Sequence, residues 1–151
     1  MRPARCMSLK PEGMIIRDYR TEDFPHIEKL WKETGIYAQE RGDTPGAIER
    51  CNMQGGKFLV MEDPSTGSIV GTSWMTYDGR RIHLHHFAIR PSHQGKGLGK
   101  KLARESLKIA RQRSCPVKLE VHDENIRAIR LYQELGFVTF EDYHVYMLPE
   151  P

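Results

Sequence analysis

Two groups of residues in this chain have types and spacings suited to chemistry. The first is Gln94-Gly95-Lys96-Gly97-Leu98-Gly99. Its glycines carry no Cβ to hold a phosphate away from the backbone. A turn of this kind that opens a helix offers N–H groups lacking intrahelical partners, under the positive end of the helix dipole. Phosphate binds to such a place. The second group can move protons: His83, His85, His86 and His93, Glu120, and Tyr132. Histidine titrates near neutrality, a carboxylate accepts protons and a phenol donates them.

Two familiar phosphate loops do not fit. A P-loop places four residues between its first glycine and a Gly-Lys pair, then Ser or Thr. Here three residues separate Gly95 from Gly99-Lys100, and Lys101 stands where the hydroxyl belongs. The dinucleotide fingerprint needs a glycine where this chain has Lys100. A phosphate ligand with a different loop is required.

The elements around the glycine turn suit a strand–turn–helix unit. The run Ile82–Ile89 is strand-like, Pro91 interrupts it, and Leu98–Arg113 has helical character. Upstream, Met14–Tyr19 reads as a first strand. Thr21 reads as a helix N-cap with Glu22 and Asp23 in the first turn, and Phe24, Ile27, Leu30 and Trp31 follow at helical spacing. Thr44-Pro45 begins a second helix that ends near Gly55-Gly56. Strands at Phe58–Met61 and Ile69–Tyr77 flank the turn Asp63-Pro64-Ser65-Thr66-Gly67, and Asp78-Gly79 predicts an antiparallel hairpin into the next strand. A strand at Val117–Val121, a helix near Ile126–Leu135 closed by Gly136, and two last strands within Phe137–Leu148 complete the order. Residues 1–13 read as a flexible lead-in to one domain over 14–151. Strands and helices mix without strict alternation, giving an α+β (mixed α/β) fold.

The bulk properties set bounds. With 151 residues and 38% apolar content, the chain is one domain's size. No apolar run is long enough to span a bilayer, and the first residues lack a signal peptide's apolar stretch. Cys6, Cys51 and Cys115 are too scattered for a disulfide framework or zinc site, so a reduced, cytoplasmic setting is expected. Net charge is only +3, but Lys96, Lys100, Lys101 and Arg104 gather at the glycine turn. They would meet phosphates or form a solvated helix face. His83 and His85 share a strand face and could make half a zinc site, yet no local third ligand joins them, and no metal is expected. His86 reads as a neighbour of the loop and His93 as a surface turn residue.

The Gln-x-x-Gly-x-Gly turn at a helix start resembles the coenzyme A pyrophosphate loop of the GNAT acetyltransferase superfamily. The resemblance extends through Ala88-Ile89-Arg90-Pro91, Leu119-Glu120-Val121, Asn125, Ala128, Leu131-Tyr132 and Leu135-Gly136-Phe137. It covers the C-terminal half strongly and the N-terminal half by element order. It implies a mostly antiparallel, twisted central sheet of six to seven strands flanked by about four helices. It also implies acetyl-CoA as co-substrate and an amine as acceptor, either a small molecule or a peptide or protein.

By the same resemblance, Gln94, Gly95, Lys96, Gly97, Leu98, Gly99, Lys100 and Asn125 would hold the coenzyme. A splay between the fourth and fifth strands would turn backbone N–H groups of Phe87, Ala88 and Ile89 toward its pantetheine arm and thioester oxygen. Tyr132 matches the family's general acid and would also contact the coenzyme. From its residues alone it equally fits an apolar helix stripe with Ile129 and Phe137. The base that frees the amine's lone pair is open between Glu120, twelve residues before Tyr132 as in the ribosomal-protein alanine N-acetyltransferase branch, and His83, with an ordered water able to stand in for either. An alternative is a coenzyme-binding sensor that transfers nothing. A nucleic-acid module is disfavoured by the modest charge. No membrane partner is expected, and a monomer or homodimer fits.

Overall fold

The computed structural model describes residues 13–151; the lead-in expected over residues 1–13 lies outside them except for Gly13. The chain forms two compact units that divide between Glu120 and Val121.

The first unit is a five-stranded sheet in sequence order: β1 (Ile15–Asp18), β2 (Lys57–Asp63), β3 (Ser68–Tyr77), β4 (Ile82–Ile89) and β5 (Val117–Leu119). The first four strands pair antiparallel, and β5 joins β4 in parallel. A parallel neighbour needs a crossover, and the helix α3 (Leu98–Arg113) supplies it. The β3–β4 hairpin turns at Asp78-Gly79, where the Asp78 carboxylate accepts from the Arg80 and Arg81 amides at 2.7 and 2.8 Å.

Helices α1 (Phe24–Thr34) and α2 (Pro45–Met53) lie on one face of this sheet. The helical spacing of α1 buries Ile27, Leu30 and Trp31 completely, against Phe58, Val60 and Trp74 of the sheet. Each such side chain contributes about 1.5–3 kcal/mol by leaving water. Successive strand residues face opposite ways. Accordingly Trp74 stacks on Trp31 at 6.1 Å, whereas the adjacent Ser73 hydroxyl meets Ser106 of α3 at 2.7 Å. Helix α3 therefore covers the other face. A Cβ at Gly71 would lie 2.8 Å from the Ile89 side chain and 3.3 Å from that of Leu102, so glycine allows this close approach.

The helix starts are partly as expected. Thr44 caps α2 by accepting from the Ala47 amide at 3.2 Å. At α1 the N-cap position expected of Thr21 falls to Asp23, whose side chain makes no bond to the helix. Thr21–Asp23 is a 3-10 turn, and the Asp23 carboxylate accepts from the Arg20 amide at 2.8 Å and from both terminal nitrogens of Arg17. Thr21 turns instead to Glu49, at 3.0 Å.

In the second unit, α4 (Ile126–Glu134) is followed by Gly136 in the left-handed region, φ 94°. The two last strands expected within Phe137–Leu148 do not form, which leaves five strands rather than six or seven among the described residues. Val138, Phe140, Tyr143, Val145 and Met147 have the composition of strands, but they are exposed and the segment pairs with no ladder. Strand propensity is realised only against a partner. Among the described residues no helix is long and apolar enough to cross a membrane.

Candidate active site

The glycine turn takes the form its residues dictate. A 3-10 turn at Pro91–His93 leads out of β4, and the Gln94 side-chain amide donates to the Ile89 carbonyl at 2.8 Å, tying the loop to the strand end. Gly95 and Gly97 adopt φ 76° and 77°, left-handed conformations that favour glycine. Among the described residues, apart from each glycine's chain neighbours, no heavy atom lies within 4 Å of where their Cβ atoms would stand. Gly97 is the N-cap of the 16-residue α3, whose first bond runs from the Lys101 amide to the Gly97 carbonyl. The amides just ahead have no carbonyl one turn back to accept them. Lys96, Lys100 and Arg104 add positive charge at this end, and Leu98, fully buried, offers only its backbone. Lys101 points elsewhere: its ammonium donates to the Met14 carbonyl at 3.0 Å. The open space and left-handed glycines fit a diphosphate.

Two irregularities of β4 lie beside the turn. Its ladder with β5 stops at Leu84 opposite Leu119, ahead of Phe87, Ala88 and Ile89. Its ladder with β3 shifts register between Thr72↔Ala88 and Trp74↔His85, which places an extra β4 residue in a bulge. His86 sits in that bulge at φ 42°.

The candidate bases come together. His83 and His85 stack at 4.0 Å, and the Glu120 carboxylate lies 3.9 Å from His83 Nε2. Burial lowers the His83 pKa, against the pull of Glu120, so the ring is neutral at pH 7. His85 shares a 2.8 Å hydrogen bond with the Thr76 hydroxyl, and burial together with His83 and His86 pushes its pKa down to about 4. Glu120, expected within a strand, stands just past the end of β5 with its side chain 47% exposed. A hollow of about 260 Å³ opens beside His83, lined also by Thr76, Tyr77, Arg81 and Lys118. An imidazole at such an opening, with a half-exposed carboxylate 3.9 Å from it, can accept protons. Among the described residues no three His, Cys, Asp or Glu gather as a metal would require.

In the second unit, Asn125 caps α4: its side-chain oxygen accepts from the Ala128 amide at 3.2 Å. Tyr132 is buried and packs on Phe137 at 5.5 Å, as the apolar stripe implies. Burial raises its pKa to about 12, which keeps the hydroxyl protonated at neutral pH and makes it a weak acid.

Two histidines differ from expectation. His93 is no plain surface residue: its side chain is 16% exposed and lies 3.9 Å from the buried Asp63. His86 is not simply a neighbour of the loop. Its Nε2 meets Asp43 at 2.8 Å, and its ring lies 4.5 Å from Trp31 and 5.6 Å from Trp74. Asp43 and His86 are 43 residues apart, so no spacing rule links them.

Comparison with known proteins agrees with this geometry. The model of the acetyltransferase (GNAT) family matches residues 16–137. Among solved structures, an acetyltransferase from Streptococcus agalactiae aligns with TM-score 0.75 at 20% identity, over 92% of this chain and 93% of that one. The PaiA N-acetyltransferase of Thermoplasma acidophilum, solved with coenzyme A, aligns at 0.71 and 19% identity over 85% and 91%. The ribosomal-protein-S18-alanine N-acetyltransferase of Escherichia coli aligns at 0.69 and 19% identity over 82% and 76%. With the left-handed glycine turn at the head of α3 and a family match over most of its length, the chain belongs to the GNAT family of acetyltransferases.

Proposed function

We propose that the protein moves an acetyl group from acetyl-CoA to a primary amine by direct attack in a ternary complex. Acetyl-CoA, when bound, supplies the acetyl group as an activated thioester. The amides from Gly95 to Lys100 hold its diphosphate, with Gln94 bracing the loop and Lys96 and Lys100 adding charge. Asn125 contributes at the start of α4 while capping it. Backbone N–H groups among Phe87, Ala88 and Ile89 hold the pantetheine arm and polarise the carbonyl oxygen. Glu120 takes the amine's proton, or His83 does so through water, because only the neutral nitrogen has a lone pair to give. Tyr132, which keeps its proton at neutral pH, returns one to the sulfur.

The observation that carries this reading is the pair Gly95 and Gly97, left-handed and sterically open at the head of α3. The acceptor is a small amine or the amine of a peptide or protein. Support for a peptide N-terminus comes from the twelve-residue spacing of Glu120 and Tyr132, which resembles that of the ribosomal-protein alanine branch. A thermal-shift series with acetyl-CoA, CoA, NADH and ATP tests the coenzyme. Acetyl-CoA at a hundred times its Kd should stabilise by about 2.7 kcal/mol. Thiol release with a panel of amines then tests transfer. Stabilisation by NADH or ATP in place of the two thioester-family ligands contradicts the proposal, and binding without thiol release makes the protein a sensor.

A further inference from the structure

We propose that Asp43 and His86 form a positioning dyad that fixes the α1–α2 connection against the β4 bulge, beside the Phe87–Ile89 segment assigned to the thioester, and thereby sets affinity for the amine that attacks there. This deepens the acetyl-transfer reading and rests on it. Asp43 is buried, and one of its oxygens, Oδ2, meets two partners: the Ala38 amide at 2.6 Å and His86 Nε2 at 2.8 Å. A carboxylate only accepts, so His86 donates an Nε2 proton to it. Through Ala38, the same carboxylate holds the connection between α1 and α2, where the Arg41 and Asp43 amides also bond the Ala38 carbonyl.

His86 is held from three further sides. Its carbonyl accepts from the Thr72 hydroxyl at 2.8 Å, and that hydroxyl oxygen accepts the Trp31 indole N–H at 2.9 Å. Trp31 and Trp74 flank its ring. A non-glycine residue at φ 42° persists only where its surroundings over-determine it, and such strain gathers at working sites. A second observation marks the same place. The indole nitrogen of Trp74, which touches His85 and His86, is buried with no hydrogen-bond partner among the described residues. A donor in that state costs free energy unless a ligand oxygen or water meets it. His86 of the dyad lies within the bulge that immediately precedes Phe87, Ala88 and Ile89. Any slackening of the α1–α2 connection is therefore felt where the amine must be presented.

The test uses Asp43→Asn, His86→Ala, their double mutant and His86→Gln, which keeps an N–H for Asp43. The acceptor is whichever of ethanolamine, spermidine or an alanyl tetrapeptide the wild type acetylates fastest. Asp43→Asn and His86→Ala should each raise acceptor KM about tenfold with kcat within about threefold, and the double mutant should be no worse than either alone. His86→Gln should recover most of the loss, and calorimetric Kd for acetyl-CoA should stay within about twofold throughout. Unchanged acceptor KM, losses that multiply in the double mutant, or acetyl-CoA affinity falling in step with KM overturns the dyad. If the wild type acetylates none of the three amines, the transfer reading fails separately, and hydrogen exchange decides the dyad. The Ala38 amide should then exchange faster in Asp43→Asn and in His86→Ala, with Leu102–Ala110 of α3 unaffected; equal protection at Ala38 in all variants overturns it.

Discussion

Gly97→Ala separates the turn's conformational demand from its role in binding. Gly97 sits at φ 77° with nothing among the described residues within 4 Å of its missing Cβ, so alanine meets no clash with them. Only the left-handed backbone is penalised, at about 1–2 kcal/mol. For a domain of this size that lowers Tm by roughly 2–8 °C. Gly67→Ala is the matched control: φ 69°, equally open, in the β2–β3 turn. Both variants should lose the same few degrees alone and part company with ligand. At a hundred times the wild-type Kd, acetyl-CoA should still add about 2.7 kcal/mol to Gly67→Ala. A methyl at position 97 occupies space that the proposed diphosphate would enter. A tenfold rise in Kd would cut the stabilisation at that concentration to about 1.4 kcal/mol. Differential scanning fluorimetry across an acetyl-CoA titration reads both quantities. Equal Kd in Gly97→Ala, Gly67→Ala and the wild type would refute the assignment of the turn.

Further perturbations have distinct expected outcomes. Tyr132→Phe, which keeps the ring against Phe137, should lower kcat about 100-fold or more; a loss under about tenfold removes Tyr132 as the acid. Glu120→Gln should lower kcat about 100-fold at neutral pH and His83→Asn much less, and the reverse order makes His83 the base. Trp31→Phe removes a fully buried indole N–H and its bond to the Thr72 hydroxyl and shrinks a packed ring, so chemical denaturation should show a loss of about 2 kcal/mol or more. His85, held neutral down to about pH 4, binds its proton near pH 6.5 once unfolded. Between these values the unfolded chain carries the extra proton, so stability falls as pH drops through that window. His85→Gln should flatten this part of the Tm–pH curve.

Local chemistry made much of the fold legible. Leu98–Arg113 reads as a helix because glycines open it and its apolar residues recur at helical spacing, and α3 has those bounds. Thr44-Pro45 and Asp78-Gly79 carry their turn chemistry in adjacent residues, and both behave accordingly. Where the deciding partner is distant, sequence is mute. Asp23, not Thr21, stands at the start of α1, with its carboxylate taken by Arg17 and the Arg20 amide. The strand pattern after Phe137 finds no ladder. His86 looks like one of several histidines until the bulge and Asp43 give it a fixed place.

The most direct measurement is a titration of isotopically labelled protein with coenzyme A, following backbone amide resonances by NMR. Saturable shifts should concentrate on Gly95, Lys96, Gly97, Leu98, Gly99 and Lys100. Amides of the β2–β3 turn should stay in place. Silence at those six amides up to millimolar coenzyme A, or shifts centred elsewhere, would contradict a diphosphate held at the head of α3.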